Sequence, residues 1–145
     1  MKKMTFLFVL SVFSAALFSQ EATVAKKPEE YVKFKEVSFN FGKIKQGTPV
    51  THDFPFDNAS DKMVVIETAQ ASCGCTTPVW PQAPIAVGKS DKIKAGFNAA
   101  SPGPFNKTIS VKLAGVDGYV ILTISGEVLS TEDYAKYEKT KGTKG

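Results

Sequence analysis

Apolar and polar residues alternate with a period of two along most of the chain. Val37, Phe39 and Phe41 alternate with Ser38 and Asn40. Further segments with this period or with an apolar, β-branched run are 50–57, 63–69, 91–98, 105–113 and 119–128. Gly, Pro, Asn and Asp separate these segments, which is typical of short strands joined by turns. We therefore predict an all-β sandwich.

Prolines and lysines indicate how the sheet edges are protected from pairing with other strands. Pro55 interrupts the second alternating segment, and proline cannot donate to a strand ladder, so we predict an edge position or a bulge there. Lys92, Lys94, Lys107 and Lys112 are assigned to outward positions. Charge at such positions guards against edge-to-edge pairing.

The N-terminal residues have the pattern of an export signal. Lys2 and Lys3 precede an uncharged apolar run over 4–18, and Ser19 follows. This predicts a secretory signal peptide at 1–19 that is cleaved after Ser19. A permanent transmembrane anchor is the alternative, but it requires about 20 apolar residues. We expect a periplasmic or secreted protein of a Gram-negative cell envelope, without a membrane span after signal removal.

The remaining chain divides into three parts. Residues 20–30 lack periodicity and are predicted to form a flexible leader. Residues 31–129 form the β-domain. Residues 130–145 form a polar tail, in which Ser130 and the acidic residues after it resemble a capping start, so a short frayed helix is expected there.

Composition narrows the function. The chain has 145 residues, enough for one domain, and a net charge of +4 that falls to +2 when Lys2 and Lys3 are removed (+4 − 2). It contains no Arg, the side chain preferred for gripping phosphates and guanine edges, so nucleic-acid recognition is disfavoured. Two Cys and one His cannot supply a closed zinc site. No phosphate loop and no catalytic triad are evident, which favours a protein that is not an enzyme.

Cys73, Gly74 and Cys75 form the most distinctive local segment. Gly74 permits a turn that brings the two sulfurs together. Three interpretations stay open. The pair shapes a bend, as a disulfide or as two thiols; it binds Cu(I), completed by His52 or Met63; or it is a redox-active dithiol. An exported protein favours the oxidised pair.

His52 is the only histidine in the chain. It lies in register with Phe54 and Phe56, which face the predicted core. We interpret it as a hydrogen-bonded packing residue. As the third ligand beside Cys73 and Cys75, it would complete the speculative metal site.

Several segments together resemble the bacterial domain-of-unknown-function family 1573, which is related to hydin- and abnormal-spindle-type immunoglobulin-like domains and widespread in Bacteroidetes. The matching segments are FNFGKIKQG at 39–47, VTHDFPFDN at 50–58, SCGCT at 72–76, Trp80, PIAVG at 84–88 and PFNKTI at 104–109. The resemblance covers about Val37 to Val128. Val87 replaces a frequent Pro, and 114–118 replaces a common Ser-Asn turn.

The resemblance implies an immunoglobulin-like Greek-key β-sandwich of seven to eight strands in the bacterial envelope, and no established reaction. We predict an exported, non-enzymatic module that binds a protein or glycan partner, or has a structural role, without a cofactor. Edge strands and loops are expected to carry the contact. The alternative is a soft-metal, Cu(I), or thiol-redox site at Cys73 and Cys75.

Overall fold

A computed structural model of the chain describes residues 26–142. The signal peptide, its cleavage position and most of the leader, all predicted from the sequence, lie outside these residues. In chain order the elements are α1 (Pro28–Tyr31), β1 (Val32–Phe34), β2 (Ser38–Lys45), β3 (Val50–Asn58), β4 (Ile66–Ala71), β5 (Thr76–Val79), β6 (Ser90–Phe97), β7 (Gly103–Leu113), β8 (Val120–Leu129) and α2 (Thr131–Gly142). None of the helices in the described part of the chain is long and apolar enough to cross a membrane.

The described strands form two four-stranded sheets. The first sheet has the order β1-β3-β6-β5 and the second has the order β2-β8-β7-β4. All neighbours are antiparallel except β2 and β8, which run parallel. The chain changes sheet after β1, β2, β3, β4 and β6. The predicted immunoglobulin-like β-sandwich is therefore confirmed.

The core lies between the inner faces of the two sheets. Alternate residues of β3 and β6 face alternate residues of β7 and β8, as the period of two requires. The largest fully buried side chains include Phe54, Phe56, Ile93, Ile109, Leu113, Leu122 and Ile124. Both sheets therefore contribute to one continuous core.

Pro55 does not lie on an edge strand, so that prediction is wrong. Strand β3 is internal and pairs with both β1 and β6. The last pair of β1 with β3 is Phe34 with Phe56. Pro55 lies one residue beyond it, where its carbonyl accepts a hydrogen bond from the Lys35 N–H at 3.0 Å. Because β1 ends there, the missing N–H of Pro55 falls outside the ladder.

The four lysines do not guard the sheet edges either. Lys92 and Lys94 lie on β6, and Lys107 and Lys112 lie on β7, and both strands are internal. The prediction failed because strand order depends on pairing between distant segments. Lys92 Nζ instead binds Asp53 Oδ2 at 2.5 Å across the outer face of the first sheet. This hydrogen bond, together with the charges of Lys92, Lys94 and His52, lowers the pKa of Asp53 against the opposing effect of desolvation.

The first described residues depart from the predicted leader. Pro28 begins helix α1 and is buried. Its ring packs against Gly118, where an added Cβ would lie 3.4 Å from Pro28 Cγ. Helix α1 therefore begins within the residues predicted as the leader.

A helix spans Thr131–Gly142 in the tail, where a short one was expected. Ser130 Oγ caps it by accepting the Asp133 N–H at 3.1 Å. Two acidic residues in the first turn and two lysines in the last complement the helix dipole.

Candidate functional site

Cys73 and Cys75 are joined in a disulfide with a Cα–Cα distance of 5.3 Å. The pair lies in the bend that leads from β4 in the second sheet to β5 in the first. Gly74 is not among the residues with a positive φ, and a Cβ there would meet no atom within 4 Å in the described part of the chain. The bend therefore does not depend on the conformational freedom of glycine.

The two cysteines have different surroundings. Cys75 packs against the core, and its carbonyl accepts the Asn98 N–H at 3.1 Å. Cys73 Sγ lies 3.7 Å from the hydroxyl of Thr76, which is 3 % exposed. Cys75 is thus the inner sulfur of the pair, held between β5 and the end of β6.

Cys75 also lines a cleft of about 210 Å³ at one end of the sandwich. Phe97 and Phe105, whose rings stack with centroids 4.1 Å apart, form part of its lining together with the loop that joins β6 to β7. Among the described residues that line the cleft, Lys107 alone is charged. Cys75 and Lys107 therefore line the same recess.

Lys107 was assigned to an outward position, and that prediction is wrong. It follows buried Phe105 by two residues and precedes buried Ile109 by two. In the neighbouring strand it pairs with buried Ile124. Its Cα–Cβ bond therefore points to the same side of β7 as those of Phe105 and Ile109. The side chain is half-buried at the rim of the sandwich.

His52 has the position expected from the strand period. Its ring stacks on Phe39 with centroids 3.6 Å apart and meets Phe54 edge-on at 4.8 Å. Its Nε2 lies 2.9 Å from Glu36 Oε1, and 17 % of the side chain is exposed. The histidine thus joins the two sheets through aromatic packing and one polar contact.

The structure does not bring His52 to the cysteines. Within residues 26–142, no three His, Cys, Asp or Glu side chains gather closely enough to hold a metal ion. Met63, the other ligand considered, is 67 % exposed. The predicted ligand set of Cys73, Cys75 and His52 is therefore not assembled as a site.

The outer face of the second sheet carries a different kind of surface. Neighbouring strands place uncharged amide and hydroxyl side chains side by side. We name this surface the hydroxyl–amide face; it comprises Ser38, Asn40, Asn106, Thr108, Ser110, Thr123 and Ser125. Asn40, Ser125 and Asn106 form one row across three strands, and Ser38, Thr123 and Thr108 form the next. The outer face of the first sheet carries Asp53 and Lys92 as an ion pair.

A groove of about 430 Å³ opens at one end of the hydroxyl–amide face. Asn40, Asn106 and Ser125 line it, and the side chains of Lys43 and Glu127, 4.0 Å apart, lie at its end. A bulge in β2 shapes the groove, because the register with β8 shifts between Asn40 and Lys43. The Asn40 side chain fixes this bulge by accepting the Gly42 N–H at 2.7 Å.

Sequence reasoning missed this face. It noted that Ser38 and Asn40 point away from the apolar row, but it assigned them no role. The same alternation in 105–113 and 119–128 also indicates which polar residues lie opposite the apolar ones. What the sequence lacked was the pairing of β2, β7 and β8, which places the three polar rows next to one another.

A family model matches most of the chain. Residues 32–128 match the family described as "Protein of unknown function (DUF1573)". The chain belongs to the DUF1573 family. The disulfide, the cleft, the groove and the hydroxyl–amide face of this DUF1573 domain all lie within the matched residues. No curated protein matches the sequence.

Solved structures show the same fold at low identity. The ASH / PapD-like domain 7 of human CEP192 has a TM-score of 0.63 at 10% identity, covering 90% of this chain and 99% of that one. A protein of unknown function from Porphyromonas gingivalis W83 has a TM-score of 0.57 at 10% identity, covering 66% of this chain. The DUF1573 chain spans 46% of that Porphyromonas structure. The Vibrio cholerae VesB protease has a TM-score of 0.54 at 14% identity, covering 70% of this chain and 33% of that one.

These likenesses establish the sandwich and nothing about activity. The protease covers the DUF1573 domain with only part of its own length, so its reaction does not transfer.

Proposed function

We propose that this DUF1573 domain is an exported, non-enzymatic binding module of the cell envelope that binds a neutral polysaccharide on its hydroxyl–amide face. One observation carries the proposal: a groove lined by Asn40, Asn106 and Ser125 continues into a row of hydroxyl side chains on the same sheet. The N-terminal sequence pattern supports export.

The chemistry of the face suits sugar hydroxyls. Serine and threonine hydroxyls and asparagine amides both donate and accept hydrogen bonds. A sugar hydroxyl does the same, so each contact can form in either direction. Because the side chains stand on paired strands, those within a row repeat at about 4.8 Å across the sheet, and neighbouring rows lie about 6.6 Å apart along the strands. A chain of sugars can therefore meet several rows at once.

The seven residues of this face are uncharged, although Lys112 follows Ser110 by two positions on the same side of β7. This low density of charge favours a neutral partner. Partners with a strong net charge are normally met by residues of opposite charge, which steer and orient them. Lys43 and Glu127 are confined to one end of the groove and offset one another. The hydroxyl–amide face itself offers no such complement, so a neutral chain is the better match.

Binding assays on neutral polysaccharides test the proposal. The mature protein, which starts after Ser19, is incubated with insoluble β-glucan, mannan and xylan, and depletion from solution gives the affinity. We expect at least one of them to bind. Substituting Asn106→Ala together with Ser125→Ala should weaken that binding about tenfold, because two hydrogen bonds of about 0.5–1.5 kcal/mol each are lost.

The opposite sheet offers a matched control. Thr51 and Thr77 are exposed on the outer face of the first sheet, and Thr51→Ala with Thr77→Ala should leave the affinity unchanged. The proposal is wrong if no neutral polysaccharide binds, or if both double variants weaken binding equally. Specific capture of a protein that is lost in the Asn106/Ser125 variant would instead assign the face to a protein partner.

A further inference from the structure

We propose that Cys73 and Cys75 form a thiol–disulfide exchange site, in which Lys107 stabilises Cys75 as the thiolate leaving group, and which oxidises exposed cysteine pairs of other exported proteins. This activity is independent of polysaccharide binding. It rests on three features of the structure: the size of the disulfide ring, the charge in the cleft and the different surroundings of the two sulfurs.

The small ring argues against a mainly structural disulfide. The two cysteines are two positions apart. A disulfide stabilises chiefly by restricting the unfolded chain, and this effect grows with the number of residues enclosed. A ring that encloses one residue between the cysteines therefore contributes far less than a long-range crosslink. Labile and catalytic disulfides are the strained or exposed ones, and both cysteines here are partly exposed.

The charge in the cleft favours one sulfur as the leaving group. Lys107 and Cys75 line the same recess, and none of the described residues that line it is acidic. The other lining residues are apolar or uncharged, namely Phe97, Asn98, Ala100, Ser101, Pro102, Gly103, Pro104 and Phe105. A cation near a cysteine stabilises its thiolate and speeds its departure from a disulfide. Cys75 is therefore the cysteine whose thiolate Lys107 stabilises.

The surroundings of the two sulfurs give the direction of attack. Cys75 packs against the core, whereas Cys73 lies in the bend beside the Thr76 hydroxyl. A substrate thiolate therefore attacks Cys73 Sγ. The S–S bond breaks, a mixed disulfide forms between the substrate and Cys73, and the bonding electron pair leaves on Cys75 as a thiolate.

A second thiolate of the same substrate completes the exchange. It attacks the substrate sulfur that is bonded to Cys73 in the mixed disulfide. The substrate disulfide forms, and Cys73 leaves as a thiolate. The two thiolates take up the two protons that the substrate lost. The domain is reduced by two electrons and the substrate is oxidised by two, so no further reactant enters the step.

The thiolate measurement tests the role of Lys107. In the Cys73→Ser background, the ultraviolet absorbance of the Cys75 thiolate is followed against pH. We expect Lys107→Gln to raise the thiol pKa by about 0.5–1 unit, the size of a charge–charge interaction near a protein surface. The same substitution in the protein with both cysteines should slow reduction by uncharged dithiothreitol about threefold.

Lys89→Gln is the matched control. It removes the same charge, but Lys89 directly precedes β6, at the opposite end of that strand from Phe97. The eight residues of β6 separate the two ends by about 26 Å, well beyond the screening length in physiological salt. Lys89→Gln should leave the thiol pKa and the reduction rate unchanged. An equal response of both lysine variants, or no response of either, would refute the role of Lys107.

Transfer to a substrate tests the activity itself. The oxidised protein is mixed with a reduced peptide that contains two cysteines, and alkylation followed by mass measurement reports both partners. We expect stoichiometric oxidation of the peptide with matching reduction of the domain, and slower transfer by Lys107→Gln. The proposal fails if the peptide stays reduced, or if the reduced domain binds Cu(I) tightly and transfers no disulfide.

Discussion

Asn58 shows how one buried polar side chain can fix a turn. It ends β3 and is 2 % exposed. Its amide nitrogen donates to the carbonyls of Lys62 and Ile85, both at 2.9 Å. Its amide oxygen accepts from the Ser60 N–H at 3.0 Å and from the Ser60 hydroxyl at 2.7 Å. All of its hydrogen-bonding capacity is used, which is what burial of an amide requires.

Replacing Asn58 should therefore destabilise the domain strongly. We expect Asn58→Ala to lower the free energy of unfolding by about 2–4 kcal/mol, because the buried carbonyl of Ile85 loses its donor and a small void remains. Urea unfolding followed by fluorescence measures the change. Asn106→Ala removes the same group from an exposed position and should cost less than about 0.5 kcal/mol. Similar losses in both variants would contradict the role assigned to Asn58.

At the residue scale, the sequence predicted a turn over Asn58–Lys62 but not the burial of its first residue. Asn58 continues the row of Phe54 and Phe56, so the period of two already placed it on the core face. It was nevertheless predicted as part of the turn, because it is polar and turn residues follow it. What the sequence could not supply was the carbonyl of Ile85, which lies 27 positions along the chain.

At the scale of elements, the period of two located most strands but not their ends or partners. Strand β5 (Thr76–Val79) was missed, because it has four residues, contains Pro78 and follows the cysteines. The alternation found in the sequence ends at Phe41, yet strand β2 continues to Lys45 through a bulge. Short strands and bulges depend on the neighbouring strand more than on their own residues.

The contact of β7 with β8 depends on Gly126. A Cβ at this position would lie 2.8 Å from the Gly42 carbonyl oxygen and 2.8 Å from two ring carbons of Phe105. The Phe105 ring is itself stacked on Phe97. Neither β2 nor this aromatic pair can move away without loss of packing.

We therefore expect Gly126→Ala to destabilise the domain by about 1–3 kcal/mol, the usual cost of overpacking a core. Thermal and urea unfolding measure the loss. Gly74→Ala is the control, since an added Cβ there meets no described atom within 4 Å and the backbone φ is ordinary. A Gly126→Ala protein as stable as Gly74→Ala would show that β2 and Phe105 adapt more easily than their packing suggests.

At the scale of the whole molecule, the two outer faces and the two ends of the sandwich differ in chemistry. The first sheet bears the ion pair of Asp53 with Lys92, and the second bears the hydroxyl–amide face with the Lys43–Glu127 ion pair beside it. The cysteine pair lies where the chain passes between the sheets. The sequence predicted the cysteine pair as a candidate but not its environment, because Lys107 is distant in sequence and was assigned to the wrong side of its strand.

The contribution of the disulfide to the stability of the whole domain follows from the small number of residues in its ring. The chain-entropy relation gives roughly 1.6 kcal/mol for a ring of three residues, against about 3 kcal/mol for one of 15. We therefore expect the double substitution Cys73→Ser with Cys75→Ser to lower the free energy of unfolding by roughly 1.6 kcal/mol or less. Urea unfolding of the oxidised parent and the variant gives the difference.

Ile109→Ala provides the scale for that measurement. Ile109 is fully buried in the core, and its truncation should cost about 2–5 kcal/mol. If the cysteine variant loses as much as Ile109→Ala, the disulfide is a main support of the fold and its reduction would unfold the domain. A small loss means that the pair can cycle between its oxidised and reduced forms while the two sheets stay packed, which a thiol–disulfide exchange site requires.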